Sequence, residues 1–168
     1  IGGMQLQQGD FVARLVQSLA RHPGLPARAL QLELLETTAL KDLGRVREVM
    51  QACHEIGVSF ALDDFGTGYS SLAYLKHLPA DTLKIDQSFV REILHDPSDR
   101  AIVKGVISMA ATLGREVIAE GVETQEHGLL LRELGCATVQ GYGIAKPMPA
   151  SDIPDWIATW QAHPIWLA

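Results

Sequence analysis

An α/β fold of the TIM-like (β/α)₈ barrel kind, incomplete, with about five parallel strands and surrounding helices, is what the sequence predicts. Two observations carry that prediction. Short apolar runs alternate with amphipathic stretches, which is the pattern of a parallel sheet covered by helices. Nearly every run closes on ionisable or amide side chains. A barrel brings the carboxyl ends of all its strands around one mouth, whereas an open doubly wound sheet gathers ligands at one switch point.

The predicted strands are ALQLELLE (29–36), VSFALDDF (58–65), DTLKID (81–86), EVIAEGV (116–122) and TVQGYGI (138–144). Their polar ends are Glu33 and Glu36, Asp63 and Asp64, Lys84 and Asp86, Glu120 and Glu123, and Gln140. One helix, roughly 10–21, precedes the first strand. LKDLGRVREVMQACHEIG has helical period and stops at Gly57. In DRAIVKGVISMAATLG the residues Ile102, Val103, Val106, Ile107, Ala110 and Leu113 recur at i, i+3, i+4 and i+7, with Ser98 and Asp99 as caps and Gly114 as the stop. A complete barrel needs eight strands and about 250 residues, so the expectation is the carboxyl-terminal two-thirds of one. Trp156, Trp160 and Trp166 are expected to pack the last helix and tail.

The 168 residues are 47% hydrophobic, with mean hydropathy +0.09. These values suit one globular domain with a real core. No apolar run approaches the ~18 residues of a membrane span, and the first residues lack a basic region followed by an apolar core, so the expected compartment is the cytoplasm. A net charge of −6 argues against a nucleic-acid polymer as partner, because phosphate backbones are held by clustered Lys and Arg. Cys53 and Cys136 lack ligand spacing and read as reduced, buried thiols. His54, His77, His95 and His127 share no spacing and are read as surface or satisfied core side chains.

The stretch FALDDFGTGYSSL raises the chemical question. Strand neighbours point to opposite faces, so Asp63 and Asp64 can serve one ligand only where the strand ends and FGTG begins to turn. Gly66 and Gly68 can take positive φ there. A bridging carboxylate on two hard divalent cations fits; so does an exposed pair that starts a turn and caps a short helix. Glu33 and Glu120 shift the balance, because four carboxylates with no arginine beside them repel one another unless their pKa values rise or cations bind. Lys84 alternates with Leu83 and Ile85. Inside a barrel it could hold or polarise the attacking water; at a sheet edge it would only extend its amine to solvent. Gln140 could bond a ligand or a loop backbone.

The stretches LELLE, ALDDFGTGYSSLAYLKHLPADTLKIDQSFV, DRAIV, VIAEGVET and LGCATVQGYGIAKPMP resemble, in order and spacing, the EAL-domain family of cyclic-di-GMP phosphodiesterases. The resemblance runs from about Gln5 to Ile153. It implies a (β/α)₈-like barrel that hydrolyses cyclic-di-GMP to linear pGpG with two Mg²⁺ or Mn²⁺ ions, inhibited by Ca²⁺. It implies Glu33, Asp63, Asp64 and Glu120 as metal ligands, with Asp63 bridging, and Lys84 as the lysine that orients the nucleophilic water. Lys84, Glu120 and Asp63 are the catalytic candidates, with Asp64 and Gln140 near the substrate. Glu36 and Glu123 resemble the acids that shape the active-site loop 66–71, which includes Gly66, Thr67 and Gly68 and contributes to dimer contacts in the family.

Three departures accompany the resemblance. The Glu-Ala-Leu tripeptide is absent; IGGM stands where the family has an asparagine ligand in a VNxS pattern; and Leu35 replaces the usual threonine between Glu33 and Glu36. The expectation is a single EAL-type domain over 1–168, truncated at its amino terminus, whose exposed sheet edges favour self-association. The competing readings are a non-catalytic module that binds cyclic-di-GMP or a protein, and a metal-dependent barrel enzyme acting on another phosphorylated or enolisable substrate.

Overall fold

The computed structural model describes residues 1–67 and 72–160. Five strands, β1 (Gln31–Leu35), β2 (Ser59–Phe65), β3 (Thr82–Ile85), β4 (Glu116–Ala119) and β5 (Thr138–Val139), form one sheet in the order β1-β2-β3-β4-β5. Every neighbouring pair is parallel. Each new strand joins the last one without doubling back, which is the order of a barrel wall and not of a doubly wound sheet.

Helices α1 (Gly3–Leu6) and α2 (Phe11–Ala20) precede β1. Then α3 (Glu36–Ala39) and α4 (Leu43–Glu55) link β1 to β2, and a 3₁₀ turn (Leu72–Lys76) leads towards β3. Helices α5 (Gln87–Arg91) and α6 (Pro97–Thr112) link β3 to β4, α7 (Gln125–Glu133) links β4 to β5, and α8 (Ile153–Thr159) closes the described chain. The cap of α6 is Asp96, whose carboxylate accepts from the Ser98 amide at 2.7 Å, with Pro97 in the first turn. That corrects the expected Ser98 and Asp99: proline already has helical φ and lacks only an amide that would go unbonded at the first helical position, so the helix starts at Pro97 and the cap falls one residue before it.

Register explains the two faces of the sheet. Glu33 lies level with Ala61, Ala61 with Thr82 and Thr82 with Glu116, while Lys84 lies level with Ile118. Residues level across parallel strands share a face. One face therefore carries Gln31, Glu33, Asp63, Thr82, Lys84 and Glu116. The other carries Leu34, Phe60, Leu62, Leu83, Ile85 and Ala119, all buried. Leu34, Phe60, Leu62 and Leu83 pack on Val46, Val49, Met50 and Cys53 of α4. Ile85 and Ala119 pack with Val90 of α5, Val103 and Ile107 of α6 and Leu131 of α7. The apolar face holds the helices, which leaves the polar face for chemistry.

Some expectations change. Strands β4 and β5 stop at Ala119 and Val139, short of the expected 122 and 144. Trp156 of α8, a helix that buries no residue, packs on Trp160 just past its end, with ring centroids 5.7 Å apart; Trp166 lies outside the described residues. Both cysteine thiols are buried. His127 is a satisfied core histidine, its ring nitrogens 2.9 Å from Thr124 Oγ1 and 3.2 Å from the Arg91 carbonyl oxygen. No helix among the described residues is long and apolar enough to cross a membrane.

Candidate active site

Asp63 and Asp64 lie in the last residues of β2, with Phe65 closing the strand, as expected. The register between β2 and β3 shifts there: Leu62 pairs with Leu83 but Phe65 pairs with Ile85, so β2 carries one extra residue. This is a β-bulge, and it re-aims side chains that strict alternation would send to opposite faces. Asp64 absorbs the distortion with φ of +53°, the one positive φ among the described non-glycine residues. Aspartate tolerates that region better than most side chains.

The bulge brings Asp63 and Asp64 together with Glu120, which follows β4. Each offers a carboxylate oxygen, and the three oxygens lie within 4.8 Å of one another. Into this cluster reaches the ammonium of Lys84, from the centre of the sheet. Its Nζ lies 2.9 Å from Glu33 Oε1, 2.9 Å from Asp63 Oδ1 and 2.7 Å from Glu120 Oε1. Of the two places the sequence left open for Lys84, the barrel interior and a sheet edge, it takes the interior, among these acids. Glu33 stands outside the three-carboxylate group and meets the cluster through Lys84.

The electrostatics follow from burial and like charge. Burial opposes the charge on Lys84, yet hydrogen bonds to Glu120, Glu33 and Asp63 outweigh it and push the ammonium above its ordinary value. Burial raises Glu120, with Lys84 acting against it. Burial and then the charges of Asp63 and Asp86 raise Asp64. Asp86 thus faces Asp64 as well as capping α5 by accepting from the Ser88 amide at 2.9 Å; the sequence marked it only as a polar strand end. A cluster of hard oxygen donors, still short of positive charge with one ammonium inside it, fits a divalent cation such as Mg²⁺ or Mn²⁺.

The loop supports divide. Glu36 is buried, accepts from the Gly66 amide at 3.0 Å and from the Tyr74 hydroxyl at 2.6 Å, and so ties the start of the loop to the 3₁₀ turn. Tyr74 had no signal in the sequence beyond an apolar run. Leu35 lies level with Asp63 on the polar face, 43% exposed, and both Glu36 bonds are in place. Gly66 takes φ of +99° as expected, and Thr67 bonds back to the Asp64 carbonyl through Oγ1 at 2.9 Å. Gly68 and the rest of the loop to 71 lie outside the described residues. Glu123 is exposed beside the site.

Gln140 and Glu123 line a cavity of about 400 Å³ with Glu120, Gln87, Arg91 and Tyr142. The last three were missed from the sequence, where they look like ordinary helix and loop residues. A larger cavity of about 710 Å³ lies at the opposite, amino-terminal end of the strands, beside Arg47, Lys76, Asp81 and Arg115. It contains none of Glu33, Asp63, Asp64 and Glu120, so size alone does not locate the chemistry.

The EAL domain model matches residues 1–147. The chain belongs to the EAL domain family. Among curated EAL relatives, it is 39% identical over 153 residues to the bifunctional diguanylate cyclase/cyclic di-GMP phosphodiesterase MucR of Pseudomonas aeruginosa, covering 91% of this chain. The chain spans 22% of MucR's length. The solved MucR phosphodiesterase in complex with c-di-GMP superimposes with a TM-score of 0.85 at 40% identity, over 91% of this chain and 62% of that one. The EAL domain of Mycobacterium smegmatis DcpA gives 0.89 at 39% identity, over 97% and 73%. The manganese and cyclic-di-GMP complex of Klebsiella pneumoniae BlrP1 gives 0.78 at 34% identity, over 85% and 36%. These matches establish the EAL barrel architecture that the five parallel strands suggested.

Proposed function

We propose that this chain carries the catalytic carboxylate cluster of a cyclic-di-GMP phosphodiesterase, hydrolysing one phosphodiester to give linear pGpG. The observation that carries the reading is the bulge-built trio Asp63, Asp64 and Glu120 around the Lys84 ammonium, on the polar face at the carboxyl ends of the strands. The MucR and BlrP1 structures with the dinucleotide support the substrate class, and the BlrP1 manganese complex supports the cofactor class.

Asp63, Asp64 and Glu120 would hold Mg²⁺ or Mn²⁺, with Glu33 as a further ligand once it parts from Lys84. A divalent cation bound there supplies charge to offset that of the phosphoryl oxygens and lowers the pKa of a water. Lys84 orients the attacking water through its N–H groups. Glu36 keeps the backbone at Gly66 in place, and Glu123 is assigned to the same loop. Gln140 offers its amide to a guanine edge, Arg91 brings positive charge to the 400 Å³ cavity, and the Tyr142 ring, 64% exposed, gives a base a surface to stack on. The self-association expected from the sequence belongs to the same reading, since β1 and β5 are the two edges of the sheet.

Incubation with cyclic-di-GMP and Mn²⁺, followed by chromatography, tests the proposal. Appearance of pGpG with the wild-type chain and its loss with Asp63→Ala is the expected result. Intact dinucleotide that is nevertheless bound would favour the non-catalytic module instead.

A further inference from the structure

This inference rests on the metal-site reading above and concerns how the site is loaded. An ammonium has three N–H bonds. At Lys84 three carboxylate oxygens lie at 2.7 to 2.9 Å, those of Glu33, Asp63 and Glu120, and the side chain is only 4% exposed. Asp63 Oδ1 accepts one of the N–H bonds, and Glu33 and Glu120 pair with the same ammonium, so carboxylates surround it where a water or a phosphoryl oxygen would have to approach. Two of the three acceptors, Asp63 and Glu120, also belong to the trio whose oxygens lie within 4.8 Å of one another. The lysine and a divalent ion therefore draw on the same carboxylates, and two cations so close together repel strongly in a partly buried site.

We propose that Lys84 is the built-in counter-cation of the cluster, and that uptake of a divalent ion is coupled to its release from Asp63 and Glu120. In the unloaded chain the ammonium offsets carboxylate repulsion that would otherwise work against the fold. The ion takes over that task. Lys84 then has N–H groups free to orient a water, so the positioning residue is armed by the same event that fills the site. Loading and arming are one exchange of positive charge.

Calorimetric addition of Mn²⁺ alone to the wild-type and Lys84→Met chains tests the exchange. The proposal expects the variant to bind Mn²⁺ roughly tenfold more tightly or better. It also expects the variant to melt below wild type without Mn²⁺ and to recover when Mn²⁺ is added. Equal or weaker binding by the folded variant overturns the proposal and leaves the metal site standing. Failure of both chains to bind Mn²⁺ overturns the metal-site reading itself.

A second measurement uses only the wild-type chain. Labelling with an amine-acylating reagent, read by mass spectrometry, should rise several-fold at Lys84 when Mn²⁺ is added, while exposed Lys41 and Lys104 stay constant. Labelling of Lys84 that stays constant or falls overturns the coupling, whether or not Lys84→Met folds.

Discussion

Glu36 is buried and accepts hydrogen bonds from the Gly66 amide and the Tyr74 hydroxyl. Replacing it with alanine leaves two donors without a partner, so Glu36→Ala should cost about 3 kcal/mol and Tyr74→Phe about 1.5 kcal/mol in urea unfolding. A smaller loss for Glu36→Ala than for Tyr74→Phe would contradict its role as the shared anchor. Burial pushes the Cys53 thiol up to about 11 from an ordinary 9. Between those values the unfolded chain has lost a proton that the folded chain keeps, so this group's contribution to stability falls as pH rises through that window. Iodoacetamide at pH 8 should therefore leave Cys53 unmodified in the native protein and label it in urea; rapid native labelling would show that the site opens. The sequence made Glu36 legible through its family position, but its partner Tyr74 became visible only when the fold brought two segments together across 38 positions.

At the scale of elements, periodicity made the five strands and the longer helices readable, because burial on one face imposes a repeat on the residues themselves. The ends were less readable. An ideal Cβ at Gly141 would collide with the backbone of Val122, because the chain after β5 runs against the chain after β4. Gly141→Ala should destabilise the protein by about 3 kcal/mol or more, read from its urea midpoint; near-wild-type stability would contradict that packing. The bulge in β2 was not readable either, since adjacent aspartates in an alternating strand give no sign that an extra residue turns them together. Asp64 pays for this geometry in repulsion from Asp63 and Asp86. Asp64→Asn removes that charge while keeping a side chain that tolerates positive φ, so it should raise stability by about 1 kcal/mol and weaken Mn²⁺ binding. A variant that loses stability without Mn²⁺ would show that the charge is not a burden on the fold.

Across the whole molecule, one sheet separates two environments: an apolar face that holds helices and a polar face whose acids surround a single buried lysine. The sequence placed Glu33, Asp63, Asp64, Lys84 and Glu120 at strand ends. Which acids meet each other and which meet only Lys84 depends on register across β1 to β4, which no local pattern records. Asp63, Asp64 and Glu120 are proposed to form a divalent-cation site in which Lys84 already supplies part of the positive charge, and a crystal structure with Mn²⁺, recorded for its anomalous scattering, decides whether they do. An anomalous peak is expected among the oxygens of those three carboxylates, at a bonding distance of about 2.2 Å, with Lys84 drawn away from Asp63 and Glu120. A peak elsewhere, or no peak with the three Lys84 contacts unchanged, would contradict the proposal.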